Sequence, residues 1–190
     1  LDCASSEMYD RHTDTYLYGS RRVSREELID HAAELIRKYP ILFIEDLLAE
    51  DDWDGFVQAH QKLKGVKLIG DDFIVTNRRR LQKAYERHAL DGFILKPNQV
   101  GTITEALDTH AYAQSNGLLT IPSGRSGGAV GDIVADLALA LEAPISKNGA
   151  PKSGERLDKI NSLLRASSGN PASHLWNLTE VFYPLCLQHA

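Results

Sequence analysis

The sequence predicts an α/β fold, an incomplete TIM-like (β/α) barrel of about six βα units, two strands short of the usual eight. Three observations lead there. From Ser24 onward, helix-like segments alternate with short apolar strands. The polar residues Glu45, Asp71, Lys96, Ser123 and Lys147 stand at the ends of successive strands, spaced 24 to 27 residues apart. In a barrel all such positions meet at one mouth, whereas an open sheet spreads them along a crevice, so five in a row favour the barrel. The chain has only 190 residues, against the roughly 250 that eight units usually take.

The elements follow in order. Leu1-Asp2 reads as the end of a strand. Ser24 and Glu27 form a capping box, and Leu28, Ala32, Leu35 and Ile36 keep helical spacing until Pro40 ends the helix. Ile41 to Ile44 is a doubly buried strand that ends in Glu45-Asp46. A second helix runs from Asp52 to Lys64 and stops at Gly65, and Val66 to Ile69 is the next strand, ending at Asp71-Asp72. Thr76 or Asn77 caps a helix to about Ala89. Phe93 to Leu95 then leads to Lys96, and Thr102 opens a helix to Ser115. Leu118 to Ile121 precedes the glycine-rich SGRSGG. A helix over 132–141, a brief strand at Pro144-Ile145-Ser146 and a helix over 154–165 complete the series. This divides the chain into a partial barrel, 1–165, and an extension, 166–190, made of a polar turn and an apolar helix broken near Pro184. The extension is expected to pack on the barrel.

Composition narrows the partners. With 21 Lys and Arg against 26 Asp and Glu, the formal charge is −5, which argues against nucleic acid or an anionic membrane as partner and makes any anion site local. Hydrophobic residues make up 43%, as in globular proteins, yet no apolar run approaches the roughly 18 residues of a membrane span. Cys3 and Cys186 have no metal-ligand spacing and form no disulfide framework, so a reducing, cytoplasmic setting is expected. The start at Leu1, with no leader and a strand in progress, is the pattern expected of a piece of something longer.

Asp2, Glu45 and Asp71, at consecutive strand ends, are the hard oxygen donors that Mg²⁺ prefers. Asp46, Asp51, Asp52 and Asp72 read as helix caps or solvated neighbours. Lys96 and Lys147 face a mouth in which burial and a cation would both lower a lysine pKa, toward general-base use, although each taken singly reads as an ion-pair partner. SGRSGG offers backbone N–H groups, Ser123, Ser126 and Arg125 to a phosphate or carboxylate, although a flexible loop explains the glycines equally well. Arg78-Arg79-Arg80 reads as a solvated helix face.

These segments carry a resemblance. LDCASSE, YPILFIEDLLAEDDW, GDDFIVTN, LKPNQVGTITEAL, SGRSGG and NGAPKSGERLDKINSLLR, in order over residues 1–165, resemble the carboxyl-terminal barrel of the enolase family. The resemblance implies magnesium ligands at Asp2, Glu45 and Asp71, the catalytic base at Lys96, and a substrate-carboxylate contact at Lys147. It implies phosphate contacts at Ser126 and Arg125. The implied reaction is Mg²⁺-dependent dehydration of 2-phosphoglycerate, a small phosphorylated carboxylic acid, to phosphoenolpyruvate. The lysine-plus-magnesium pairing is the general arrangement for that superfamily.

Departures accompany the match. Gly124 and Gly128 stand where the family motif SHRSGE has histidine and glutamate, and Pro97 follows the base, which restricts Lys96 to extended backbone. The family's proton-donating glutamate, its loop histidine, the first two strands and the amino-terminal lid domain lie upstream of Leu1. The isolated chain is therefore expected to be inactive, and a degenerate, ligand-binding relative is the alternative. Unpaired strand edges are expected to recruit a second copy or the amino-terminal part of the same protein, and Asp2 is expected to fray.

Overall fold

The computed structural model describes residues 1–182. A short 3₁₀ turn, Ser5–Met8, leads into an antiparallel meander, β1 (Tyr9–Asp10), β2 (Thr15–Tyr18) and β3 (Arg21–Val23). The chain then alternates α1 (Arg25–Lys38), β4 (Phe43–Glu45), α2 (Trp53–Lys62), β5 (Lys67–Gly70), α3 (Arg78–Glu86) and β6 (Gly92–Leu95). It continues with α4 (Pro97–Val100), α5 (Ile103–Ser115), β7 (Leu119–Pro122), α6 (Val134–Ala140), α7 (Gly154–Gly169) and α8 (Leu178–Phe182).

Strands β4 to β7 form a parallel sheet in sequence order. One parallel bridge extends it on each side, Asp2 to Glu45 and Ser123 to Lys147. Six strand positions therefore follow one another from Asp2 to Lys147. Backbone pairing does not close the ring among the described residues. The strand expected at Pro144–Ser146 shrinks to the single bridge at Lys147; proline has no N–H for a ladder.

Alternation along each strand decides what faces the inside. Residues i and i+2 share a face, so Phe43 lies beneath Glu45, Ile69 beneath Asp71, Ile94 beneath Lys96, Ile121 beneath Ser123 and Ile145 beneath Lys147. Ile69, Ile94 and Ile121 form one buried cluster, with Phe43, Leu119 and Ile145 packed against it. Ile44, Leu68, Phe93 and Leu95 point the other way, into the larger core under the helices. Every polar strand end thus rests on an apolar layer.

The caps match the residues that signal them. Ser24 and Glu27 make both bonds of the capping box, Asp52 caps α2, Asn77 caps α3 and Thr102 caps α5. The meander was not expected: its strands are short and Tyr16 and Val23 are its buried hydrophobics. Tyr16 locks it to the sheet, its hydroxyl accepting a bond from the Ala49 amide at 3.1 Å. The triple arginine is not simply a solvated face. Arg80 donates to the carbonyls of Phe73 and Glu50, each at 2.8 Å, and lies over the Trp53 ring, stapling two loops together. Asp2, where fraying is expected, is tied to the sheet by one bridge, in which Cys3 donates to Glu45 and Glu45 donates to Leu1.

In the extension, α7 runs on to Gly169 before the turn. Phe182 of α8 is fully buried and stacks on Phe43, with ring centroids 6.4 Å apart. This packs the extension on the inner face of β4. Pro184, Leu185 and Cys186 lie outside the described residues.

Candidate active site

The sheet's carboxyl-terminal edge gathers two charge clusters. In the first, the Lys147 ammonium lies 2.7 Å from both oxygens of Glu45 and 3.1 Å from Asp2. This contact spans the two outermost strand positions, so side chains join the ends that backbone pairing leaves apart. Glu45 is 1% exposed. Burial, and then Asp2 and Asp71, push its carboxyl above the usual range, while Lys147 opposes them. Burial alone would lower the Lys147 amine, but bonds to Glu45 and Asp2 hold it above its ordinary value. The expected drop for this lysine is therefore not found. The two shifts have different leading causes, burial for Glu45 and the bonds to Glu45 and Asp2 for Lys147.

In the second cluster, the Lys96 ammonium contacts one Asp71 oxygen and the Gln99 amide donates to the other at 3.0 Å. Lys96 has the extended backbone that Pro97 imposes, and Pro97 opens α4, whose one turn brings Gln99 back over Asp71. Thr76, a candidate cap, serves here instead: its hydroxyl accepts from the Lys96 amide at 2.9 Å and donates to Gln99.

Asp46 was expected to be a cap or a solvated neighbour, and it is neither. It is 4% exposed, with its two oxygens accepting from the amides of Asp71 at 2.8 Å and Asp72 at 2.7 Å. Burial pushes its carboxyl up to about 7 against these two bonds. Sequence offered one weak signal for Asp46 and another for Gln99: an acid doubled at a strand end, and an amide one turn after a lysine-proline step.

Asp2, Glu45 and Asp71 face the same mouth, and the charges of Asp2 and Asp71 both act on Glu45. They are not drawn to one point, however. Among the described residues, the group of acids with oxygens within 4.8 Å of one another is Asp46, Asp71 and Asp72. Lysine ammonium groups hold the three strand-end carboxylates as two clusters.

Ser123 is buried beside the mouth, its hydroxyl donating to the Gly124 carbonyl at 3.1 Å, and Gly124 donates to the Lys147 carbonyl. Arg125 and Ser126 sit exposed on the loop after β7, and their side chains have no polar partner among the described residues. The structure thus brings together Asp2, Glu45 and Lys147, and separately Asp71 and Lys96. It leaves Arg125 and Ser126 on the rim. A Cβ at Gly124 would stand 3.0 Å from the Lys159 side chain, which is 3% exposed and paired with Asp132 at 2.5 Å.

A family model described as "Enolase, C-terminal TIM barrel domain" matches residues 1–175. The chain belongs to the enolase family. Among its relatives, a protein named "Enolase" from Methanococcus maripaludis strain C7 is 45% identical over 165 residues, 87% of this chain and 39% of that protein. Enolases of Thermococcus gammatolerans and Sulfolobus acidocaldarius are each 43% identical, over 87% and 86% of this chain and 39% of their own length. The chain spans about two fifths of the enolases it matches. The family match over residues 1–175 takes in the whole parallel sheet and its six polar strand ends. No helix of the described residues is long and apolar enough to cross a membrane.

The donor chemistry suits the metal that enolases imply. Glu45 and Asp2 offer the hard oxygens a divalent cation takes, and both already neighbour one positive group, the Lys147 ammonium, at 2.7 to 3.1 Å. A dication arriving there would relieve the carboxylate excess that a monovalent ammonium leaves.

Proposed function

We propose that this chain supplies the barrel portion of an enolase-type hydro-lyase that converts 2-phosphoglycerate to phosphoenolpyruvate with Mg²⁺, in the cytoplasm, as part of a longer protein or an assembly of copies. The observation that carries the reading is the alternation of acid and amine around one mouth, with Lys147 against Glu45 and Asp2, and Lys96 against Asp71.

The residues divide the work as follows. Asp2, Glu45 and Asp71 would hold Mg²⁺, which when bound supplies fixed positive charge to a substrate carboxylate that gains electron density as its α-proton leaves. Lys147, released from Glu45, pairs with that carboxylate. Lys96, in contact with Asp71 at the mouth, would take the α-proton at Nζ. Gln99 keeps Asp71 oriented. Arg125 and Ser126, unpaired on the rim, bind the phosphoryl group, and Ser123 lies beneath them. No described residue is assigned the protonation of the departing hydroxyl, and the 190-residue chain by itself is expected to be inactive.

A second reading draws on Gly124. The space beside it holds the Lys159 side chain, and a side chain added at 124 would compete for that volume, so the rim of this chain is committed to a different packing. On this reading the chain binds cation or ligand without turnover. Absorbance of phosphoenolpyruvate formed from 2-phosphoglycerate and Mg²⁺, measured with the longer parent protein, separates the two. Turnover supports the lyase, and Mg²⁺ binding without turnover supports the second reading.

A further inference from the structure

Asp46 touches none of the atoms assigned to substrate or metal, yet it joins three strand ends. Its carbonyl accepts from Ser5 in the segment that carries Asp2, and its amide donates to Ile69 of β5. Its carboxylate reaches across to the successive amides of Asp71 and Asp72. To make that reach the residue adopts a left-handed backbone, φ 44°, which costs a non-glycine residue free energy unless the surroundings enforce it. Charge argues against a carboxylate at this position, since its oxygens lie within 4.8 Å of those of Asp71 and Asp72. What a carboxylate provides and other groups do not is a pair of acceptor-only oxygens, spaced to receive two consecutive N–H groups. An asparagine has one acceptor, and its NH₂ would oppose the second amide.

We infer that Asp46 is a positioning residue for Asp71. By fixing the main chain on both sides of the Asp71 peptide, it sets the direction from which that carboxylate enters the mouth. The inference rests on the proposed reading of Asp71 as a metal ligand. Groups that orient a ligand in this way are worth about 10–100-fold in metal affinity, more than the loss of a nearby charge alone.

The test is Mg²⁺ titration of the 190-residue chain by calorimetry, with Mn²⁺ electron paramagnetic resonance as a check on the coordination sphere. Asp46→Asn is compared with Asp72→Asn at a pH above the raised Asp46 value of about 7, where each substitution removes a charge from the same cluster but only the first removes main-chain bonds. Asp46→Ser, with room for a bridging water, replaces Asp46→Asn if that variant fails to fold, and thermal melts establish that each variant is folded. The expected result is a 10–100-fold weaker affinity for the Asp46 variant, with a broadened Mn²⁺ spectrum, against a loss several times smaller for Asp72→Asn. Equal loss in the two variants, or unchanged affinity in the Asp46 variant, overturns the positioning role and leaves the metal site standing. No Mg²⁺ binding by the unsubstituted chain overturns the metal-ligand reading, and this inference with it.

Discussion

Replacing Lys147 with methionine removes the cation that holds Glu45 and Asp2 together. The Glu45 carboxylate is 1% exposed and loses a partner 2.7 Å from each of its oxygens. Breaking a buried pair from one side costs about 3–5 kcal/mol. The Lys147 side chain is 31% exposed, so water takes up part of the loss, and about 3 kcal/mol is the better figure. In a chain of this size that is a fall in Tm of roughly 6–12 °C. The sign with pH follows from Glu45. Its folded pKa is already raised and rises further without the lysine. Stability from a raised carboxyl is present below the unfolded value and lost as pH rises through the folded one. The gap between variant and wild type is therefore widest at neutral pH and closes below about pH 4.5. Mg²⁺ at millimolar concentration should recover part of the loss, because a dication can occupy the vacated position. Urea unfolding at pH 7 and pH 4, with and without Mg²⁺, reads all of this. A variant as stable as wild type at pH 7 would refute the reasoning, because it would show that Glu45 does not depend on Lys147.

Three other perturbations test the frame around the mouth. Tyr16→Phe leaves the buried Ala49 amide without its acceptor, and urea titration should show a loss of about 1–3 kcal/mol. Arg80→Lys keeps the charge but not the fork that serves two carbonyls, so a loss of about 1.5–3 kcal/mol is expected by the same method. At Asp91, burial pushes the carboxyl up, but the His60 ring and the Leu68 amide outweigh it and hold the group below the usual range. Its contribution is present above the unfolded value and fades as pH falls through the lowered one. Thermal melts of Asp91→Asn should therefore lose less on acidification below about pH 4 than those of wild type.

The strands and their polar ends were legible because a two-residue repeat puts an apolar residue beneath each of Glu45, Asp71, Lys96, Ser123 and Lys147, and five repetitions leave little ambiguity. The caps at Ser24, Asp52 and Thr102 were legible for an equally local reason, a side chain that reaches an amide three residues ahead. Asp46 was not, since its partners lie 25 and 26 residues away and local sequence says nothing about such a reach. The meander escaped notice because Tyr16 and Val23 alone are its buried hydrophobics, too few to set a period. Arg80 looked like its neighbours, and only folding distinguishes the arginine that meets two carbonyls. That Asp2, Glu45 and Asp71 share a mouth could be read from their spacing. Their division between two lysines could not, because those contacts join residues 25 and 102 positions apart.

The central claim of the proposed function is that Asp2, Glu45 and Asp71 hold one cation. An anomalous difference map from crystals of the chain grown with Mn²⁺ tests it most directly. The account predicts a peak within coordinating distance of Glu45 and Asp71, with Asp2 turned toward it and the Lys147 ammonium withdrawn from Glu45. A peak elsewhere, or an unchanged Lys147–Glu45 contact at saturating Mn²⁺, would contradict it.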